Sequence, residues 1–217
     1  MRNLLLLAVG CVALAGCSFF GIRSGTEQVS YTVVETIAPS VEIRGYGSRL
    51  AAETVMDAAD EDDGRNAAFR VLFDYITGAN RPQAEIAMTA PVETEARGDK
   101  GDAATIAMTA PVETNDAGDG RIAMRFFLPA AYTAETAPAP TDPQVRIVEI
   151  PGQNIAVLRF TGARDEAHVA DQRARLLQAL EDSAWRPVAA PVALFYDPPW
   201  TLPFLRRNEV AATVTAK

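Results

Sequence analysis

Thiol chemistry has almost no place in this chain, because only two of its 217 residues are cysteines. These are Cys11 and Cys17, inside and at the end of one apolar run near the start, so neither a disulfide framework nor a cysteine metal cluster is expected in the body of the protein. Histidine is equally scarce. His168 stands alone, and no serine or cysteine forms a recognisable nucleophile pattern with it, so the chain is expected not to be an enzyme. Positive charge is short as well: 20 Lys and Arg face 28 Asp and Glu, a net charge of −8. That balance argues against nucleic acid as a partner and against a polybasic membrane contact. The run Leu4 to Leu14 is also too short for a membrane span, which needs about 20 apolar residues.

That run reads instead as an export signal, with Arg2 ahead of it and nothing charged inside it. It ends in Leu14-Ala15-Gly16-Cys17, which resembles the lipobox of bacterial lipoproteins. The resemblance implies a diacylglycerol thioether on Cys17 and cleavage before it. Each buried methylene of the acyl chains contributes about 0.8 kcal/mol, so the anchor would be permanent. Ser18 rather than aspartate follows the cysteine, which resembles the signal for the outer membrane. The expected organisation is a signal peptide over 1–16, a lipidated tether over 17–29 and one domain over 30–217 on the cell envelope, facing the periplasm. A composition 48% apolar suffices for one well-buried domain or two fused halves sharing a core.

Within the domain the hydrophobic period changes twice. Tyr31 to Ile37, Val41 to Tyr46 and Arg49 to Met56 read as antiparallel strands. Phe69, Leu72, Phe73 and Ile76 then share one face of a helix over Asp62 to Thr77, which Gly78 is placed to end. Strand character returns from Ala84 to Pro129, broken at Arg97 to Asp102 and Asn115 to Gly120. Strands at Val145 to Ile150 and Ile155 to Phe160 flank a turn signal, Pro151-Gly152. A second helix over Asp165 to Glu181 carries Val169, Leu176, Leu177 and Leu180 inward, and strands at Val192 to Tyr196 and Glu209 to Val214 close the chain. The twofold order of strands, helix, strands predicts an α+β domain of two pseudo-symmetric halves, each with one helix on its sheet.

An internal repeat runs through the middle. Glu85-Ile-Ala-Met-Thr-Ala-Pro-Val-Glu-Thr94 recurs as Thr105-Ile-Ala-Met-Thr-Ala-Pro-Val-Glu-Thr114, and a partial copy starts at Arg121-Ile-Ala-Met124. The copies read as neighbouring strands that stop at proline, with Met88, Met108 and Met124 as a core-filling column. With Met124-Arg-Phe-Phe-Leu-Pro129, Tyr196-Asp-Pro-Pro-Trp-Thr201 and Arg206-Arg-Asn-Glu-Val210, this order of motifs resembles the SOUL haem-binding proteins over roughly Tyr31 to Val214. The resemblance implies a twisted antiparallel barrel-like sheet with two helices, shared in outline with effector-binding domains. It also implies a binding protein for haem or a related tetrapyrrole, with a cleft beside helix one and the loop after Tyr196.

The residues expected to hold such a ligand are Arg65, Phe69, Phe73, Trp200, Phe204 and Arg206: rings for the flat face, cations for propionates. Where the family can carry a lysine after the paired prolines, this chain has Thr201 and Leu202. His168 lies beside the apolar stripe of helix two and is expected to be solvated rather than an iron ligand; no metal-ligating residue is expected. Arg207 is expected to pair with Glu209 or Asp197 and fix the loop. The alternative is an effector-binding protein or a hydrolase of small molecules that uses a cavity carboxylate. Its candidates are Glu85, Glu93 and Glu113, whose regular repeat points them outward.

Overall fold

The computed structural model describes residues 26–57, 61–81, 103–197 and 201–217. The strands are β1 (Glu27–Gln28), β2 (Tyr31–Ala38), β3 (Val41–Tyr46), β4 (Arg49–Asp57), β5 (Asn80–Arg81), β6 (Thr109–Ala110), β7 (Val112–Gly118), β8 (Arg121–Phe127), β9 (Ala139–Pro140), β10 (Arg146–Ile150), β11 (Gln153–Phe160), β12 (Trp185–Pro187), β13 (Val192–Phe195) and β14 (Asn208–Ala216). The helices are α1 (Glu61–Thr77), between β4 and β5, and α2 (Glu166–Glu181), between β11 and β12.

One antiparallel sheet runs β10-β4-β8-β7-β13-β14-β11-β3-β2, with β12 attached to β14. Its centre, between β7 and β13, divides two matching halves: α1 packs on β4 and β8, and α2 on β11 and β14. This is the α+β architecture of two halves that the order of elements predicts. Glu27 and Gln28 also belong to the fold, pairing in parallel with Thr109 and Ala110.

The halves are tied by two long strands rather than by hairpins. Arg146 stands opposite Glu53 and Ile150 opposite Arg49; past Pro151-Gly152 the same register resumes with Gln153 opposite Tyr46 and Leu158 opposite Val41. Pro151-Gly152 is therefore not a turn between paired strands. It is a bend in one run that passes from one half to the other. Pro151 has no N–H for the ladder, and a Cβ on Gly152 would lie 3.1 Å from the Tyr46 carbonyl oxygen, so a side chain there would crowd the crossing.

The middle of the chain departs from the sequence reading in three further ways. The short strand β6 stops at Pro111 as the repeat predicts, but β7 starts directly after it, and Asn115 to Gly118 continue β7 instead of forming a loop. The turn is confined to Asp119-Gly120, with φ of 54° and 69°, the paired positive angles of a tight hairpin for which Asp-Gly is suited. No methionine column forms between the two described copies: Met124 is buried in β8, whereas Met108 lies outside any strand and is exposed. Met88, Glu85, Glu93 and the first copy of the repeat lie outside the described residues, as do the Leu14-to-Cys17 motif and Trp200.

The helices end where local chemistry dictates. Gly78, at φ 139°, closes α1. The Asp165 side chain accepts the His168 backbone N–H at 3.0 Å, a cap that contributes about 1 kcal/mol. Their buried stripes are shifted from those expected. On α1 the small Gly64 and Ala68 join Leu72, Tyr75 and Ile76 against the sheet, which rotates Phe69 and Phe73 to the margin. On α2 Gln172 is buried with Val169, Leu176 and Leu180, while Leu177 is exposed.

Candidate functional site

Arg65, Phe69 and Phe73 follow one another at four-residue spacing along α1 and so share one side of the helix. Phe69 and Phe73 are 36% and 40% exposed, and their rings stack with centroids 5.9 Å apart and planes 16° from parallel. Phe69 also meets Phe126 of β8 edge-on at 5.4 Å, which fixes the pair against the sheet. The result is a flat apolar surface that the core does not cover.

At the Arg65 end this surface meets a cluster of cations. Arg65 Nη1 approaches the Arg164 carbonyl oxygen at 3.5 Å. Arg164 Nη2 donates to the Asp197 carbonyl oxygen at 2.6 Å and its Nε to Asn208 Oδ1 at 3.3 Å, with the guanidinium 4.8 Å over the Phe195 ring. Burial, then the like charges of Arg206 and Arg65, push the Arg164 guanidinium down to about 10, against a partial offset from Asp197. Arg206 donates from Nε to the Thr201 carbonyl oxygen at 2.7 Å. Arg206 and Arg65 thus lie close enough to disfavour the charge on Arg164, and an anion placed beside it would favour that charge.

The loop before β14 is held from below. Arg207 Nη2 lies 2.7 Å from Glu209 Oε1, and the Arg207 backbone N–H donates to Asp197 Oδ2 at 2.7 Å, so Arg207 has the structural role expected of it. Gly162 N–H donates to the Pro203 carbonyl oxygen at 3.0 Å, tying this loop to the one before α2. Phe204, in a single 3₁₀ turn, projects its ring outward at 69% exposure.

The structure therefore brings Arg65 and Arg206 together around Arg164, which sequence reasoning missed: a lone arginine in a short loop carries no periodic signal. Phe69 and Phe73 continue from Arg65, and Trp200 lies outside the described residues. His168 is only partly solvated. Its ring is half-buried, edge-on to Phe160 at 5.5 Å and against Gly162, with Nε2 3.4 Å from the Thr161 carbonyl oxygen. Among the described residues no group of three or more His, Cys, Asp or Glu is placed to hold a metal ion, and no helix is long and apolar enough to cross a membrane.

Glu113 is the other correction, because it does not face outward. It lines a cavity on the side of the sheet where Tyr46, Ile155, Leu194 and Ala211 cluster. Its Oε1 lies 2.6 Å from Arg125 Nη1, and Arg125 also reaches Glu53. Pairing of β7 with β8 puts Glu113 directly opposite Arg125.

Residues 26–213 match the family described as SOUL heme-binding protein. The chain belongs to the SOUL family. Like Heme-binding protein 1 of Bos taurus, to which it is 28% identical over 76% of this chain and 77% of the bovine one, this SOUL protein carries the family pattern through nearly the whole described fold. Solved structures share its architecture at low identity. The EcmrR C-terminal domain has a TM-score of 0.52 at 12% identity, covering 86% of this chain and 99% of that one. A hydrolase from Listeria innocua has a TM-score of 0.51 at 14% identity, covering 81% and 92%. At such identities the likeness shows the fold of the SOUL protein alone.

Proposed function

We propose that this protein holds haem, or a related tetrapyrrole, reversibly on the α1 face between Phe73 and the Arg65–Arg164–Arg206 cluster, without transforming it. The observation that carries the reading is the stacked pair Phe69–Phe73, left uncovered and in line with Arg65. Such a surface suits a flat apolar ring with carboxylates at one edge, the chemistry of a porphyrin with its propionates. Family membership and the bovine relative's name point the same way. Haem would bring its own iron and visible spectrum; the chain contributes the rings, the cations and the orientation.

Haemin added to the soluble domain lacking residues 1–17 should give a shifted Soret band that saturates, with quenching of Trp185 and Trp200. His168→Ala should leave that spectrum unaltered, since Nε2 is turned to a backbone carbonyl. An unchanged spectrum at micromolar haemin would refute the proposal.

The envelope setting rests on Leu14-Ala15-Gly16-Cys17. In a double-membrane host the full chain should fractionate with the outer membrane, and Cys17→Ser should release it. Retention of the variant in membranes would remove the lipid anchor from the reading. A catalytic role would draw on Glu113, whose oxygen is already engaged by Arg125; binding is the reading the geometry supports better.

A further inference from the structure

The cavity beside Glu113 is separate from the α1 face, and its chemistry is unlike that of a filled core. It measures about 530 Å³, within the range of about 300–1,000 Å³ typical of small-molecule pockets. Its apolar wall includes Phe127, Ile150, Ile155 and Leu194, and its charged lining is Arg49, Glu113, Arg125 and Arg173.

The cations outnumber the carboxylates, and their partners are unevenly shared. Arg125 is held by Glu113 and Glu53, and Arg146 also meets Glu53. Arg173 reaches Glu166 through Nη1 at 3.2 Å. The Arg49 side chain makes no hydrogen bond or ion pair with any described residue; its guanidinium lies 4.5 Å over Tyr46 and 5.3 Å over Phe127. Among the described residues three buried side-chain polar atoms lack a partner, and two are the Nε atoms of Arg49 and Arg173. Buried polar groups are normally satisfied, and an exception calls for an explanation. Both of these line one cavity.

We infer that this cavity is a second binding site, one for a compact amphipathic carboxylate whose apolar body packs against Phe127, Ile155 and Leu194 and whose carboxylate pairs with Arg49. A cation would find Glu113 already neutralised, and a neutral ligand would leave Arg49 uncompensated. The planar guanidinium matches a carboxylate in shape as well as charge. Burial holds the Arg49 guanidinium below its ordinary value, with partial opposition from Glu113, so a bound anion would raise its affinity for the proton again.

The test uses one ring system with three heads, titrated calorimetrically into the soluble domain: naphthoate, naphthalenemethanol and naphthylmethylammonium. Naphthoate should bind at least tenfold more tightly than the alcohol, with the cation weakest. Arg49→Gln should bring naphthoate to within about threefold of the alcohol, and Ala211→Leu, which fills the cavity, should weaken both. Haemin affinity should be unchanged in Arg49→Gln, with the melting transition of each variant confirming folding. Equal binding of all three heads to the native protein overturns the charge assignment and needs no variant. Loss of haemin alongside naphthoate in Arg49→Gln would show that both occupy one site, and the second site falls.

Discussion

Glu209→Ala is expected to destabilise the protein by about 3–5 kcal/mol, lowering the melting temperature by roughly 6 to 20 °C. Glu209 is wholly buried, with Arg44 Nη1 at 2.9 Å, Arg207 Nη2 at 2.7 Å and the Tyr196 hydroxyl donating at 2.6 Å. Arg44 is itself nearly inaccessible. Burial alone would lower its affinity for a proton, yet Glu209 raises it above the ordinary arginine value. The carboxylate thus compensates the charge of two arginines at once. Removing it leaves Arg44 with its partly exposed partner Glu42 and Arg207 with the Gln28 side chain, and it strips the Tyr196 hydroxyl of its acceptor.

The same physics separates the pair's role in specificity from its net contribution. Desolvation offsets much of the attraction in a buried ion pair, so the double variant Arg44→Met with Glu209→Leu should lose less than Glu209→Ala alone. Urea denaturation gives both values. A loss below about 1 kcal/mol for Glu209→Ala would mean that the pair behaves as an exposed one, in the range of surface salt bridges, and that the burial argument is wrong.

Which features the sequence disclosed depends on how local their causes are. Helix α1 is legible because period and stop signal lie within it, and α2 because Asp165 and the apolar spacing act over a few residues. The phase of α1 was not, since the small Gly64 and Ala68 are buried on it while Phe69 and Phe73 are not, and small residues carry little hydrophobic signal. Pro151-Gly152 looks like any turn until Tyr46, far away in sequence, shows what a side chain at Gly152 would crowd. Glu113 reads as solvent-facing from its repeat, and only its place opposite Arg125 turns it inward. The binding face was half legible for the same reason. Arg65, Phe69 and Phe73 declare themselves by helical spacing, whereas Arg164 joins them only once the loops before α2 and β14 meet. The cavity around Arg49 draws on both halves of the sheet and on α2, so no window of sequence contains it.

Phe69→Ala with Phe73→Ala should weaken haemin binding by roughly 30- to 150-fold, about 2–3 kcal/mol. With aromatic side chains of roughly 200 Å² each, the exposed 36% and 40% of these rings leave about 150 Å² for a ligand to cover. At about 25 cal/mol per Å² this is nearly 4 kcal/mol, part of which alanine retains. Association costs are common to native protein and variant and cancel in the comparison. Arg65→Ala, by contrast, removes an exposed-type charge contact of about 0.2–1 kcal/mol and should cost only about fivefold at most. Iron should matter little on this account, so metal-free protoporphyrin should bind within about tenfold of haemin, a gap of roughly 1.4 kcal/mol. Spectroscopic titration of the four combinations, with the melting transition of the double variant checked because Phe69 also meets Phe126, decides the ordering. If removing iron or Arg65 costs more than removing both rings, the ligand is held by coordination or charge, and the apolar face of α1 is not what binds it.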